Sequence, residues 1–307
     1  DRSSIRQGNA VIAIKDVSDA ILWSWHVWVT DEDINNVIEI TNHQNVKYNF
    51  MPVNLGQCDG NTITYEERSC KVKFIAGDQS KEITIKQLAN VIATGSNAPF
   101  YQWGRKDPLY PSNGMGNTTK IWYDKEGIPS TANPMKGTFS AGNDCIKNCI
   151  LNPNLMHNRY NGDYTYYNLW SADNKTTSAN DNPVNKTIYD PCPVVFKLPA
   201  SNAFTGFTTT GESVSSSTQV NGTWSSSEKG WYFYTNSEKT QSIFFPALGY
   251  RSYSTMRPGS IGTQGCFWSA HPVAKGNNYY LRTSSVDVQP TYMVDRGFGY
   301  ALRPCQD

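Results

Sequence analysis

The chain has 307 residues, a formal net charge of +1, 17% charged residues and 13% aromatics. That length supports one large core or two ordinary ones. The near-zero, interspersed charge argues against nucleic acid or an anionic membrane surface as partner, because both select a basic field. The aromatic content is not that of a disordered chain, and no apolar run approaches the roughly 18 residues of a membrane span.

The sequence opens at Asp1 with no Met and no signal-like segment, which reads as the product of processing or of the choice of expressed segment. Residues 11–15 (VIAIK) form a short β-type run. Residues 20–30 (AILWSWHVWVT) are apolar, β-branched and aromatic, and their length predicts one strand buried on both faces. Residues 31–42 have helix-compatible spacing, with Ile34, Val37 and Ile38 on one face. Residues 57–100 read as an insertion with two β-like runs, 62–74 and 82–85, split by the turn former Ala76-Gly77-Asp78. Residues 85–92 are open to a short helix instead.

Residues 108–185 are rich in Asn, Gly, Tyr and Pro with little periodicity, apart from a helical patch at 143–151 that Asn152-Pro153 stops. After Pro191 the pattern becomes short strands and turns, at 222–227, 231–235, 242–248, 267–270, 279–283 and 299–303. No fixed-period repeat or heptad is present. The expected class is α+β with few helices.

Seven cysteines, Cys58, Cys70, Cys145, Cys149, Cys192, Cys266 and Cys305, are many for a reducing cytosol, and the odd count leaves one over. With the low charge and abundant Asn, Ser, Thr, Tyr and Gly, they indicate an extracytoplasmic protein. Cys192 with Cys305 would clamp the C-terminal half, by chain entropy worth about 4–5 kcal/mol at best. Cys58 with Cys70 would staple the base of the insertion. Cys145 and Cys149 stand at i, i+4 on the expected helix, as two buried thiols or a strained bond.

Several blocks follow one another in an ordered pattern: ILWSWHVW (21–28), Asn54-Leu55-Gly56, YQWGRKDP (101–108), KTIYDPCP (186–193), FPALGYR (245–251), GCFWS (265–269) and GYALRPC (299–305). In this order they resemble the major-paralogous-type surface domains of Bacteroidetes. The resemblance implies a C-type lectin-like α+β fold with small twisted antiparallel sheets and about two helices. It implies a single domain over residues 1–307, with insertions near 57–100 and 112–185, at the tip of a fimbrial adhesin or in a surface lipoprotein. YQWGRKDP and KTIYDPCP are its specific blocks.

Residues 246–307 also resemble the variable regions that diversity-generating retroelements mutate in such proteins. The resemblance makes Gly249, Tyr250, Arg251, Gly265, Trp268, Ser269, Tyr279, Leu281, Gly299, Arg303 and Pro304 scaffold. The changeable, ligand-facing residues would be Ser252, Tyr253, Ser254, Arg257, Cys266, His271, Tyr280 and Arg282. Strand alternation separates Tyr280 and Arg282 from Tyr279, Leu281 and Thr283. This chain departs from the family at residues 194–197 (VVFK), where a Gly-aromatic-basic run is usual. Gln289-Pro290 is followed by Thr291, and no Trp-Asn-Asp exists, so a calcium-bridged sugar site is not expected.

Other chemistries have weaker sequence support. His26, His43, His157 and His271 lack metal-ligand spacing, and neither metal nor cofactor is expected. Cys266 is the best candidate nucleophile, in a remote reading as a formylglycine-generating-type oxidase, but no partner cysteine accompanies it. Asp31, Glu32 and Asp33 read as acids favouring a helix start rather than a glycosidase pair. Gly114-Met115-Gly116 is too short for a phosphate loop. Trp23, Trp25, Trp28, Trp103 and Trp268 are assigned to the core.

Tyr160, Tyr164, Tyr166, Tyr167, Tyr232, Tyr234, Tyr253, Tyr280 and Tyr292 lie among Asn, Ser, Thr and Gly, a composition suited to binding surfaces. The expectation is therefore a non-enzymatic adhesin or ligand-binding module at a bacterial cell surface. It would bind a host or bacterial glycan or protein through Ser252, Tyr253, Ser254, Arg257, Cys266, His271, Tyr280, Arg282 and Tyr292, and contact fimbrial subunits. The alternative is a structural subunit of a fimbria or surface assembly.

Overall fold

The computed structural model describes residues 7–58, 63–92, 98–109, 111–112, 122–123, 128–130, 136–137, 143–157, 169–173, 175, 178–273 and 276–306. The chain builds mostly small antiparallel sheets, with 45% strand and 7% helix. The helix α1 (Asn143–Leu151) has the expected bounds. Pro153 cannot continue it, and Asn152 closes its end by donating backbone N–H and side-chain Nδ2 to Asn148 O at 3.0 and 3.2 Å. No helix is long and apolar enough to cross a membrane among the described residues.

Strands β1 (Gly8–Lys15) and β2 (Ile21–Val29) pair antiparallel as a two-stranded ribbon. The expectation that β2 is buried on both faces is corrected. Leu22, Trp25 and Val27 are exposed, so Trp25 is no core residue. Residues 31–42 do not form the expected helix. Asp33 bonds locally, its Oδ1 accepting from Asn35 N at 3.1 Å and its carbonyl from Asn36 N, which favours a turn. The β-branched pair Ile38 and Ile40 then enters β3 (Ile38–Thr41), opposite β4 (Lys47–Phe50). β4 pairs with Cys305–Gln306, which pairs in turn with Phe196–Lys197, so segments far apart in sequence close one four-stranded sheet.

In the 57–100 region, Arg68–Ala76 and Gln79–Gln87 form a regular hairpin around Gly77 and Asp78, with Lys71 and Glu82 paired at 2.8 Å. The helix considered for 85–92 is absent. The second strand runs on to Gln87, and Asn90–Ile92 pairs with Ile63–Tyr65. Half of residues 112–185 lie outside the described set, including Gly114, Met115, Gly116, Tyr160, Tyr164, Tyr166, Tyr167 and the side chain of Cys145.

Two three-stranded meanders organise the C-terminal half. One comprises Gly222–Ser225, Gly230–Tyr234 and Ser242–Pro246, the other Gln264–Pro272, Asn277–Ser284 and Val288–Asp295. The second has a core cluster on each face. Phe267, Leu281 and Val288 join Phe50, Phe204, Phe207, Phe233 and Phe245, where Phe207 and Phe233 stack at 3.9 Å. Cys266, Trp268 and Tyr280 join Tyr101, Trp103, Trp170 and Tyr300. A sheet buried on both faces is a firm platform for the loops at its rim.

Candidate ligand-binding surface

In three of the sequence blocks that carry the resemblance, charged side chains act as internal struts. In YQWGRKDP, Arg105, Lys106 and Asp107 are all buried. Arg105 donates Nη2 to Pro153 O at 2.8 Å and Nη1 to Leu155 O, tying this loop to the end of α1. Lys106 Nζ meets Asp107 Oδ2 at 2.6 Å, Ser24 O at 2.8 Å and Ser24 Oγ, while Ser24 Oγ donates to Asp107 Oδ2 at 2.9 Å. Burial lowers the Lys106 pKa, against the pull of Asp107. With Ser24 only 1% exposed and every Nζ proton engaged, this is a strut between β2 and the 100s loop rather than a Ser–Lys nucleophile.

In KTIYDPCP, Lys186 Nζ gathers the carbonyls of Cys192, Pro193 (2.8 Å) and Phe196 (2.6 Å). Asp190 accepts from the N–H groups of Cys192 at 2.8 Å and Leu198 at 3.1 Å. Both charged residues thus fold one loop. In GYALRPC, Arg303 is buried and bonds Asn54, Met51, Pro52 and Phe244.

The 252–257 loop rises from this scaffold on paired Tyr250–Arg251 and Pro258–Gly259. Buried Arg251 donates Nη1 to Met256 O at 2.8 Å. Ser252 N reaches Arg257 O at 3.0 Å and Met256 N reaches Ser252 O at 2.9 Å. The Ser252 and Ser254 hydroxyls bond each other at 2.9 Å. Ser254, Thr255 and Arg257 are exposed on this closed loop, and Ser252 and Tyr253 are half-buried. Gly249 makes the turn into it at φ +74°, where a Cβ would lie 2.1 Å from Gly259 O, so only glycine fits.

Tyr253 begins a chain of aromatic contacts. Its ring meets Phe298 at 4.8 Å, Phe298 meets Tyr300 at 5.7 Å, Tyr300 meets Tyr280 at 4.7 Å, and Tyr280 meets Tyr292 at 5.7 Å. The two ends differ from the middle. Tyr292 is exposed and Tyr253 and Phe298 are half-buried, whereas Tyr280 and Tyr300 are buried. Arg282 stands beside this chain, its Nη1 bonded to Asp287 Oδ1 at 3.1 Å and Gln289 Oε1 at 3.2 Å.

The structure therefore links Tyr253 to Tyr280 and Tyr292 through Phe298 and Tyr300, places Arg282 two residues on from Tyr280 in the same strand, and leaves Ser254 and Arg257 exposed on the 252–257 loop. Three expected ligand-facing residues are buried instead. Cys266 and Tyr280 lie under the sheet because both its faces meet a core. Burial pushes the Cys266 thiol up to about 12, partly opposed by Arg282, away from the thiolate a nucleophile requires. His271 points elsewhere. Its Nδ1 accepts from Ser201 N at 3.2 Å, and burial lowers its pKa to about 4.

Among the other expected residues, Cys192 and Cys305 are both buried, close enough that the charge of Cys305 would raise the Cys192 pKa. Asn9 Nδ2 meets Cys58 Sγ at 3.6 Å, and the hairpin holds Cys70 outward opposite Ile85. No group of three or more His, Cys, Asp or Glu is placed to hold a metal among the described residues.

A cleft of about 50 Å³, which no sequence pattern announces, is lined by Trp103, Arg105, Asp107, Ile146, Cys149 and Tyr189, among others. Trp103 Nε1, Arg105 Nε and Asp107 Oδ1 are buried without a protein hydrogen-bond partner among the described residues. Two N–H donors and one carboxylate oxygen suit ordered water or a hydroxyl group, each able to donate and accept. Sequence blocks mark these residues, but only tertiary packing shows which of their atoms remain unpaired. Compared with family models, curated proteins and solved structures, the chain matches none.

Proposed function

We propose that this chain is a non-catalytic ligand-binding module of a bacterial cell surface, at a fimbrial tip or in a surface lipoprotein, with a C-type lectin-like arrangement of its sheets. The observation that carries the reading is the aromatic chain from Tyr253 to Tyr292, accessible at both ends and locked in its middle, beside the closed 252–257 loop. Rings held at low entropy cost stack on sugar faces or protein side chains, while Arg257, Arg282, Ser252 and Ser254 supply directional hydrogen bonds. The contact set narrows to Ser252, Tyr253, Ser254, Arg257, Arg282 and Tyr292. Cys266 and Tyr280 support it from within, and His271 lies away from it. The internal struts of YQWGRKDP, KTIYDPCP and GYALRPC support the family reading, since a variable surface needs a fixed frame.

The test is binding of the purified chain to a glycan and host-protein panel, with and without EDTA, beside Tyr253→Ala/Arg282→Ala. EDTA-insensitive binding lost in the variant supports the proposal. Binding abolished by EDTA overturns the metal-free recognition mode, and binding unchanged in the variant overturns the assigned surface. A subunit role in a fimbria or surface assembly is the second reading, and the apolar outer face of the β1–β2 ribbon favours it.

A further inference from the structure

The β1–β2 ribbon has its polarity reversed. Cross-strand pairs share a face, and faces alternate along the strands. The face carrying Asn9, Val11, Ala13, Ser24, His26 and Trp28 meets the body chiefly through β2, where its polar atoms are engaged, while Asn9 and Val11 on the outer strand are exposed. Asn9 Nδ2 donates to Gly56 O at 2.8 Å, Ser24 to Asp107, and Trp28 Nε1 to Gln57 O at 3.0 Å. His26 bonds Tyr101 Oη at 2.9 Å and Asn9 Oδ1 at 2.8 Å. The opposite face carries Ala10, Ile12 and Ile14 on β1 and Trp25, Val27 and Val29 on β2, with no polar side chain among them. Ile14 is 51% exposed, Trp25 49% and Val27 38%. An ordinary half-buried ribbon points its apolar face inward, so this outward one is built to be covered.

We infer that a second copy of this chain covers it, the two ribbons packing outer face to outer face about a two-fold axis. Two observations select a copy over other occupants. The face bears no charge, so an identical face meets it without repulsion and is complementary to it in character. With Val17 on the turn at its margin, each copy offers roughly 500 Å² of apolar surface, so pairing buries on the order of 1,000 Å², the lower limit for a specific interface. The other protruding hairpin makes the contrast. Its exposed Phe74, Ile75 and Ile85 stand among Lys73, Lys81 and Lys86, whose like charges disfavour an identical hairpin. At the bulged end of the ribbon Trp23 departs from the face, its ring under Lys106 Nζ at 4.6 Å and beside Tyr189. The dimer stands at the small end of specific interfaces. It goes beyond the ligand-binding reading, since the ribbon shares no residue with the 252–257 loop or the Tyr253–Tyr292 chain.

The experiment is sedimentation velocity and light scattering on the whole chain across a concentration series. The variants are Trp25→Lys, Ile14→Lys and, as a control, Lys71→Glu, with circular dichroism and melting to show that each folds. The expected result is a concentration-dependent dimer in the parent and in Lys71→Glu, and a folded monomer in both ribbon variants. A parent that stays monomeric at high micromolar concentration overturns the inference. So does a dimer that survives Trp25→Lys and Ile14→Lys. Binding of a monomeric parent to phosphatidylcholine vesicles, lost in Trp25→Lys, assigns the face to lipid and overturns it as well.

Discussion

Replacing Arg303 by Met probes the strut that fixes the end of the chain against its beginning. The guanidinium is 1% exposed. It donates Nε to Asn54 Oδ1 at 2.8 Å, Nη1 to Met51 O at 3.2 Å and Pro52 O at 2.9 Å, and Nη2 to Phe244 O at 2.7 Å. Its carbon lies 4.4 Å from the Phe245 ring centroid. Met fills much of the same volume, so the cost comes from four acceptors losing a charged donor, about 1.5 kcal/mol each at the low end. Burial alone disfavours the cation, as its lowered pKa records, and relief of that desolvation offsets about 2–3 kcal/mol. The net loss is about 3–4 kcal/mol, or about 5–6 °C in Tm for a domain of this size. Urea denaturation and calorimetry measure it. Arg303→Lys should recover only part, because one ammonium cannot span acceptors that the planar fork reaches together. An Arg303→Met chain within about 1 kcal/mol of the parent would refute the reasoning, since desolvation would then cancel the whole network.

Asp107→Asn should destabilise by about 3 kcal/mol or more, because it strands Lys106 in the interior, and Lys106→Met/Asp107→Leu should lie closer to the parent; urea unfolding of both tests the order. His271 is held neutral by burial, with a folded pKa of about 4 against 6.5 when exposed. Below pH 6.5 the unfolded chain therefore takes up more protons, and stability falls as pH drops from 6.5 to 4, by about 3 kcal/mol from this residue. His271→Asn should flatten that fall in a pH series of melting curves, and an unchanged slope would exclude His271 as its source. His26 adds to the same window, its pKa also lowered to about 4 by burial. Gly249→Ala should cost more than about 2 kcal/mol, through a positive φ and a Cβ against Gly259 O, and should weaken any binding by the 252–257 loop; the same substitution at exposed Gly77 is the control for conformation alone.

What this sequence determined by itself is local. The bounds of α1, the hairpin around Gly77-Asp78 and most C-terminal strands follow from period, turn chemistry and Pro153, which act within a few residues. Where local preferences competed, as at residues 31–42, the apolar spacing suggested a helix. Pairing of Ile38 and Ile40 with β4 decided for a strand, a choice made by residues outside that window. Burial was the least legible property. Alternation places Tyr280 and Arg282 on one face of a strand, yet whether that face meets solvent depends on Tyr300 and Tyr101, which arrive from elsewhere in the chain. Cys266 and His271 looked as available as Tyr253 for the same reason. In the β1–β2 ribbon the aromatic run announced a strand, but only its docking through Asn9, Ser24 and His26 turned the apolar face outward. Hydrogen bonds to a buried carboxylate and to backbone carbonyls outweighed apolar burial there, and those partners come together only in the folded chain.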